Sequence, residues 1–141
     1  MTGGFEQGNP GGCMILRHLS PATMRPPFGG YVHAVEATAA QRLLFVSGQL
    51  GIAADGTVPE TVEAQTELVL ANIEACLIAA GLTRANVVRL TTFITEVAYR
   101  QGYMRVRDAW VADPPPASTL LVVKALVLPA CKVEIEAIAA G

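Results

Sequence analysis

Polar and apolar positions along the chain fall into short strand-like runs and two longer stretches with helical spacing. The C-terminal end is the clearest. Leu120–Leu128 and Val133–Ala140 are rich in β-branched residues and are separated by Pro129-Ala130-Cys131-Lys132. That is the pattern of two strands joined by a tight connection. In the second run Glu134 and Glu136 alternate with Val133, Ile135 and Ala137, which puts both carboxylates on one face of the strand. Pro114–Pro116 carry no backbone donors and favour extended conformations, so they end the preceding helix and feed the first of these strands. Ser118-Thr119 stands at that strand's mouth, readable either as a polar strand start or as a ligand contact.

Upstream, Met14–Leu19 reads as a short strand ended by Ser20-Pro21, and Pro26–Gly30 as a loop. Tyr31–Ala37 alternates like a strand, and Leu43–Gln49 is the next one. Gly48, after Ser47, lets a ligand approach backbone N–H groups with no Cβ in the way. Asp55-Gly56 marks a turn. Thr61–Ala80 is the strongest helix, with acid in its first turns, a stripe of Val62, Val69, Ile73, Cys76 and Ala80, and Gly81 where a C-terminal cap belongs. Val87–Thr95 reads as a strand and Tyr99–Val111 as a second helix. Tyr99, Tyr103, Val106 and Trp110 share one side of it, the usual spacing of core, while Arg100, Arg105 and Arg107 read as solvated helix charges. The order predicts an α+β domain: a mixed six-stranded sheet with two helices on one face.

Composition sharpens this picture. A chain of 141 residues suits one core, here residues 14–141, with 1–13 a Gly-rich, polar, disordered extension that has no secretory pattern. Met14 is a second candidate start. Hydrophobic content of 52% against 16% charged residues is high for a small soluble monomer, which predicts burial between copies. No apolar run is long enough to span a bilayer. A net charge of −2 creates no field for nucleic acid. Three cysteines, Cys13, Cys76 and Cys131, lack metal-ligand spacing and read as free thiols in a reducing, cytoplasmic setting. Cys131, with only Lys132 as a basic neighbour, has little to activate it. His18 and His33 form no ligand pair, so no metal site is expected. His33 reads as a surface or interface residue.

Several short segments, in order and at matching spacing, resemble the RidA (reactive intermediate deaminase, YjgF) family. They are Gly30-Tyr31-x-x-Ala34-Val35, Phe45-Val46-Ser47-Gly48-Gln49, Asn72-Ile73 with Ala79-Ala80-Gly81, and Pro116-Ala117 followed by Lys124-Ala125-Leu126 and Val133-Glu134-Ile135-Glu136. The likeness covers the chain from about Tyr31 to the end. It implies a chorismate-mutase-like α+β fold and a homotrimer in which three sheets pack together, with clefts between subunits. It implies hydrolysis of enamines and imines of small 2-amino acids to a 2-keto acid and ammonia, without metal or organic cofactor. It also implies site residues: Tyr31 as the phenol, Ser47 and Gly48 as a backbone cradle, and Glu136 as the carboxylate that positions water. Thr119 would line the pocket, and Tyr103 falls near the family's asparagine on the second helix.

One residue departs from the pattern. Where active members carry an arginine that clamps the substrate carboxylate, this chain has Ser118, and Leu120 replaces a common cysteine. An imine carbon accepts water readily, so catalysis needs a held substrate, an oriented water and one mobile proton. Losing a charge-assisted contact costs roughly 1.5–3 kcal/mol, about one or two powers of ten in binding. The expectation is therefore weak or altered deaminase activity, with a non-catalytic binder of a small carboxylate or imine as the alternative. Arg25, Arg89 and Arg107 are the candidates to replace the missing guanidinium, and the sequence does not choose among them. The endoribonuclease label attached to part of the family fits poorly with a weakly acidic chain.

Overall fold

The computed structural model describes residues 12–141. Most of the extension expected over residues 1–13 thus lies outside the described residues. Six strands and two α-helices follow in the order β1 (Ile15–Leu19), β2 (Ala34–Thr38), β3 (Leu43–Leu50), α1 (Val62–Ala79), β4 (Val87–Ile94), α2 (Arg100–Trp110), β5 (Ala117–Val122) and β6 (Val133–Ala140). The α+β architecture read from the pattern is present, with one refinement. The six strands hydrogen-bond as a four-stranded sheet, β3-β6-β4-β5, and a two-stranded ribbon, β1-β2. A single bridge between Val32 and Ala117 ties the ribbon's approach to the edge strand β5. Pro114–Pro116, just ahead of β5, have no N–H to extend that seam.

The sheet is mixed: β4 and β5 run parallel, while β6 is antiparallel to both β3 and β4. β5 begins earlier and ends earlier than its apolar run suggests, and Lys124-Ala125-Leu126 lies outside it. Its ladder with β4 closes at Ile94 with Val122, where β4 itself ends, so the run has no further partner. Likewise Tyr31–His33 precede β2 as loop.

Thr61 caps α1, its hydroxyl accepting from the Ala64 N–H at 3.2 Å. At the other end Gly81 takes φ +71°. The Leu82 N–H reaches the Leu77 carbonyl and the Gly81 N–H reaches Ile78, so the orphan carbonyls are satisfied in a Schellman motif. The core-facing side of α1 includes polar residues that the apolar stripe does not reveal. Gln65 is fully buried, donating to the Pro59 and Ala130 carbonyls and accepting from the Lys132 N–H, which pins the β5–β6 connection to the helix.

Both helices lie on one face of the sheet. There Val69, Ile73 and Leu77 of α1 and Tyr103 and Trp110 of α2 close over Leu90, Ile94, Val133, Ile135, Ala137 and Ala139. Complete burial of each large aliphatic side chain is worth about 1.5–3 kcal/mol, and this layer supplies most of that gain. On the other face Phe45 remains 69% exposed and Leu43 59%.

Candidate functional site

Strand alternation decides where each candidate residue points. In β4 and β5, Leu90 is opposite Ser118, Thr92 opposite Leu120 and Ile94 opposite Val122, and these positions face the helices. Arg89, Thr91, Thr119 and Leu121 fall on the open face. Neighbours in sequence, Ser118 and Thr119 therefore point to opposite sides of the sheet and cannot line one pocket on one chain.

On the helix side, a cavity of about 310 Å³ opens beside β5. Tyr31, Ser118, Arg100, Met104 and Arg107 line it, with Phe28, Val97 and Leu120 adding apolar wall. The Tyr31 hydroxyl accepts from the Phe28 N–H at 3.0 Å, which fixes the ring while leaving it on the cavity. Arg107, which reads as a solvated charge from its sequence, is only 3% exposed. Its Nη1 donates to Ser118 Oγ at 3.1 Å and its Nε to Asp108 Oδ1 at 2.6 Å. The guanidinium also stands over the rings of Tyr103, at 5.3 Å, and Tyr31, at 6.0 Å. The loop Gly29-Gly30 seats directly on this group. A Cβ at Gly30 would come within 2.7 Å of Asp108 Oδ1, so glycine is what allows the close approach.

Tyr103 does not reach this cavity. It is completely buried, and its hydroxyl shares a hydrogen bond with Thr92 at 2.6 Å, so its core spacing, not its alignment with a family asparagine, describes its place.

On the open face, Ser47, Arg89, Thr91 and Glu136 line a smaller cavity of about 250 Å³. Here β3 has a bulge: Val46 pairs with Ala137 and Gln49 with Ile135, leaving Ser47 and Gly48 together opposite Glu136. Bulges re-aim side chains and interrupt a ladder, and a glycine at one admits close approach. The group that uses this space is Glu134, whose carboxylate occupies the position a Gly48 Cβ would need. Two carboxylates thus meet the Ser47-Gly48 pair. Nothing in the spacing of β6 singles out Glu134, because only the bulge brings it there. Thr119 accepts from Arg89 Nη2 at 3.1 Å on this same face.

Of the three candidate arginines, Arg25 stacks on Phe28, 3.7 Å from the ring centroid, Arg89 lies on the open face, and Arg107 alone contacts Ser118. The thiols stay apart from both cavities. Cys131 is buried, and burial with the nearby Glu134 carboxylate pushes its thiol up, which keeps it protonated and inert. His18 and His33 serve as clamps, their ring nitrogens meeting the Pro115 and Arg25 carbonyls at 2.8 and 2.7 Å.

A sequence model of the Endoribonuclease L-PSP family matches residues 22–141. The chain belongs to that family, the Rid or YjgF proteins. The RutC family protein of Aquifex aeolicus is 33% identical to it over 127 residues, 88% of this chain and 98% of that protein. Reactive Intermediate Deaminase A, a chloroplastic protein of Arabidopsis thaliana, is 37% identical over 128 residues, covering 89% of this chain and 64% of that protein. Among solved structures, the Rid family protein YyfB of Yersinia pestis superposes with a TM-score of 0.80 at 36% identity, over 89% of this chain and 98% of that one. The Rid relationship therefore rests on both sequence and fold. Among the described residues, no helix is long and apolar enough to cross a membrane.

Proposed function

We propose that this Rid protein is a hydrolytic deaminase of reactive enamine and imine intermediates of small 2-amino acids, with a substrate range altered by Ser118. The observation that carries the reading is the division of the site residues between two faces of one sheet. Tyr31 and Ser118 line the cavity under β5, whereas Ser47, Gly48, Glu134 and Glu136 belong to the open face. A small ligand needs both sets, so the complete site lies in a cleft between copies, the cavity of one meeting the open face of the next. The exposed Leu43, Phe45 and Leu121 on that face give the copies an apolar surface to bury, and a homotrimer closes the arrangement.

In such a cleft no organic cofactor or metal is called for. A carboxylate, Glu134 or Glu136, orients a water, takes one of its protons as the oxygen attacks the imine carbon, and returns it to nitrogen. The tetrahedral adduct then expels ammonia and leaves the 2-keto acid. Tyr31 orients the substrate from the opposite wall. The reaction is cytoplasmic in this reading, with no nucleic acid or membrane partner.

Freshly generated 2-aminoacrylate, with pyruvate read by lactate dehydrogenase, tests it. The wild-type chain accelerates pyruvate formation above the buffer rate, and Glu134→Gln or Glu136→Gln lowers that acceleration at least tenfold. A wild-type rate equal to buffer removes the enzyme reading. Ser118 at the arginine position would then favour the alternative, a non-catalytic binder of a small metabolite.

A further inference from the structure

The family resemblance asks for a guanidinium at residue 118. This chain has a hydroxyl there, yet a guanidinium stands against it. We infer that Arg107 anchors the carboxylate of the ligand in the cavity beside β5, so that the anion-binding group has moved from the strand to the facing helix. The inference rests on the deaminase reading for the ligand's chemistry, a small 2-imino or 2-keto acid, and goes beyond it in assigning the anchor.

Helical spacing brings the group there. Arg100, Met104 and Arg107 follow at i, i+4 and i+7 on α2, and all three line the cavity. The lining holds two guanidiniums and no carboxylate. Asp108, outside the lining, neutralises one of the two charges, so the cavity keeps a positive excess that favours an anion. A charge as buried as Arg107 needs partners, and it has them on part of its fork only. Nε is taken by Asp108 and one Nη1 proton by Ser118, while Nη2 makes no hydrogen bond among the described residues. No buried side-chain nitrogen among the described residues lacks a partner, so the unbonded Nη2 is not sealed off from solvent, and Arg107 itself lines the cavity.

Asp108 and Ser118 hold the plane of the group, and the remaining donors suit a carboxylate. Phe28, Ile94, Val97, Leu120 and Val122, with Tyr31, complete the wall, which selects an apolar side chain over a second charge. Ser118 in this arrangement is a positioning residue for Arg107, not a replacement for it.

Binding of 2-oxobutanoate to the full chain, measured by calorimetry, reads the anchor without requiring turnover. Arg107→Gln weakens binding at least tenfold, Arg107→Lys recovers part of the loss as a point charge without the fork, and the uncharged methyl ester binds wild type and Arg107→Gln alike. Arg105→Ala, on the same helix but paired with Glu63 away from the cavity, leaves the affinity unchanged. Should Arg107→Gln fail to fold, Ser118→Asp places an internal carboxylate against Nη1 and expels the ligand instead. Wild-type affinity in either variant, or no binding by the wild type at millimolar 2-oxobutanoate, overturns the assignment. Failure of the deaminase reading looks different: keto-acid binding that depends on Arg107 but no acceleration of 2-aminoacrylate hydrolysis leaves the anchor standing. Acceleration that is unaffected by Arg107→Gln leaves the enzyme and removes the anchor.

Discussion

Arg107 and Arg89 lie on opposite faces of the same sheet and answer to different constraints. Arg107, under the helices, is almost fully buried, is paired with Asp108, and is aimed by Ser118. Arg89, on the open face, rests on the Thr91 and Thr119 hydroxyls at 3.3 and 3.1 Å, with no carboxylate partner among the described residues. The first is preorganised by its own chain, since burial forces every contact to be made in advance. The second sits exposed on the open face, held only by two hydroxyls of its own sheet. The same contrast holds for the apolar residues: Ile135 is sealed, Phe45 is not.

The two faces should respond differently to substitution. The largest effect belongs to the covered one. Ile135→Ala, at a site with no exposure, costs about 2–5 kcal/mol in denaturant unfolding, whereas Phe45→Ala leaves single-chain stability nearly unchanged and shifts self-association in sedimentation experiments. If Phe45→Ala unfolds the chain without altering assembly, the open face is not an interface. Next comes the pair of arginines. Arg107→Gln lowers 2-oxobutanoate affinity tenfold or more, and Arg89→Ala lowers it by less than Arg107→Gln does; the reverse order would put the anion on the open face. A third effect tests the bulge. Gly48→Ala must displace the Glu134 carboxylate, so turnover of 2-aminoacrylate falls several-fold with little change in melting temperature. Loss of melting temperature with unchanged turnover would make the glycine purely structural.

The smallest effect lies away from both cavities. Arg84 holds the Glu74 carboxyl below its ordinary value of 4.5, aided by Trp110. The folded state then binds this proton more weakly than the unfolded chain does. The contribution is complete above that value and is lost as pH falls through the lower folded one. Both side chains are partly exposed, so Glu74→Gln flattens the acid limb of a stability-versus-pH curve only slightly.

Much of this contrast was already written in local pattern. The alternation of Glu134 and Glu136 with Val133, Ile135 and Ala137 placed the carboxylates on one face and the core on the other, and β6 bears that out. The Gly81 cap and the aromatic spacing of α2 were equally legible, because caps and periodicity depend on residues a few positions apart, whereas Thr61 reads as the first helical residue and proves to be the N-cap. Arg107 was not. Its burial depends on Ser118 of β5 and the far-upstream Gly29-Gly30 loop closing over Arg107 and its neighbour Asp108, and a lone arginine on a helix has no local mark to distinguish it from a solvated one. The choice of Glu134 beside Gly48 was hidden for a similar reason, since it follows from a bulge in the register of β3 with β6.

The sequence by itself determined the elements, the glycine cap of α1, the apolar side of each and the family to which they belong. Tertiary structure alone decided that the candidate residues divide between two faces, and that a helix arginine reaches the serine where a strand arginine was expected. The physical reason is range: periodicity and capping are short-range properties of the chain, whereas pairing a buried charge is settled only where distant segments exclude water together.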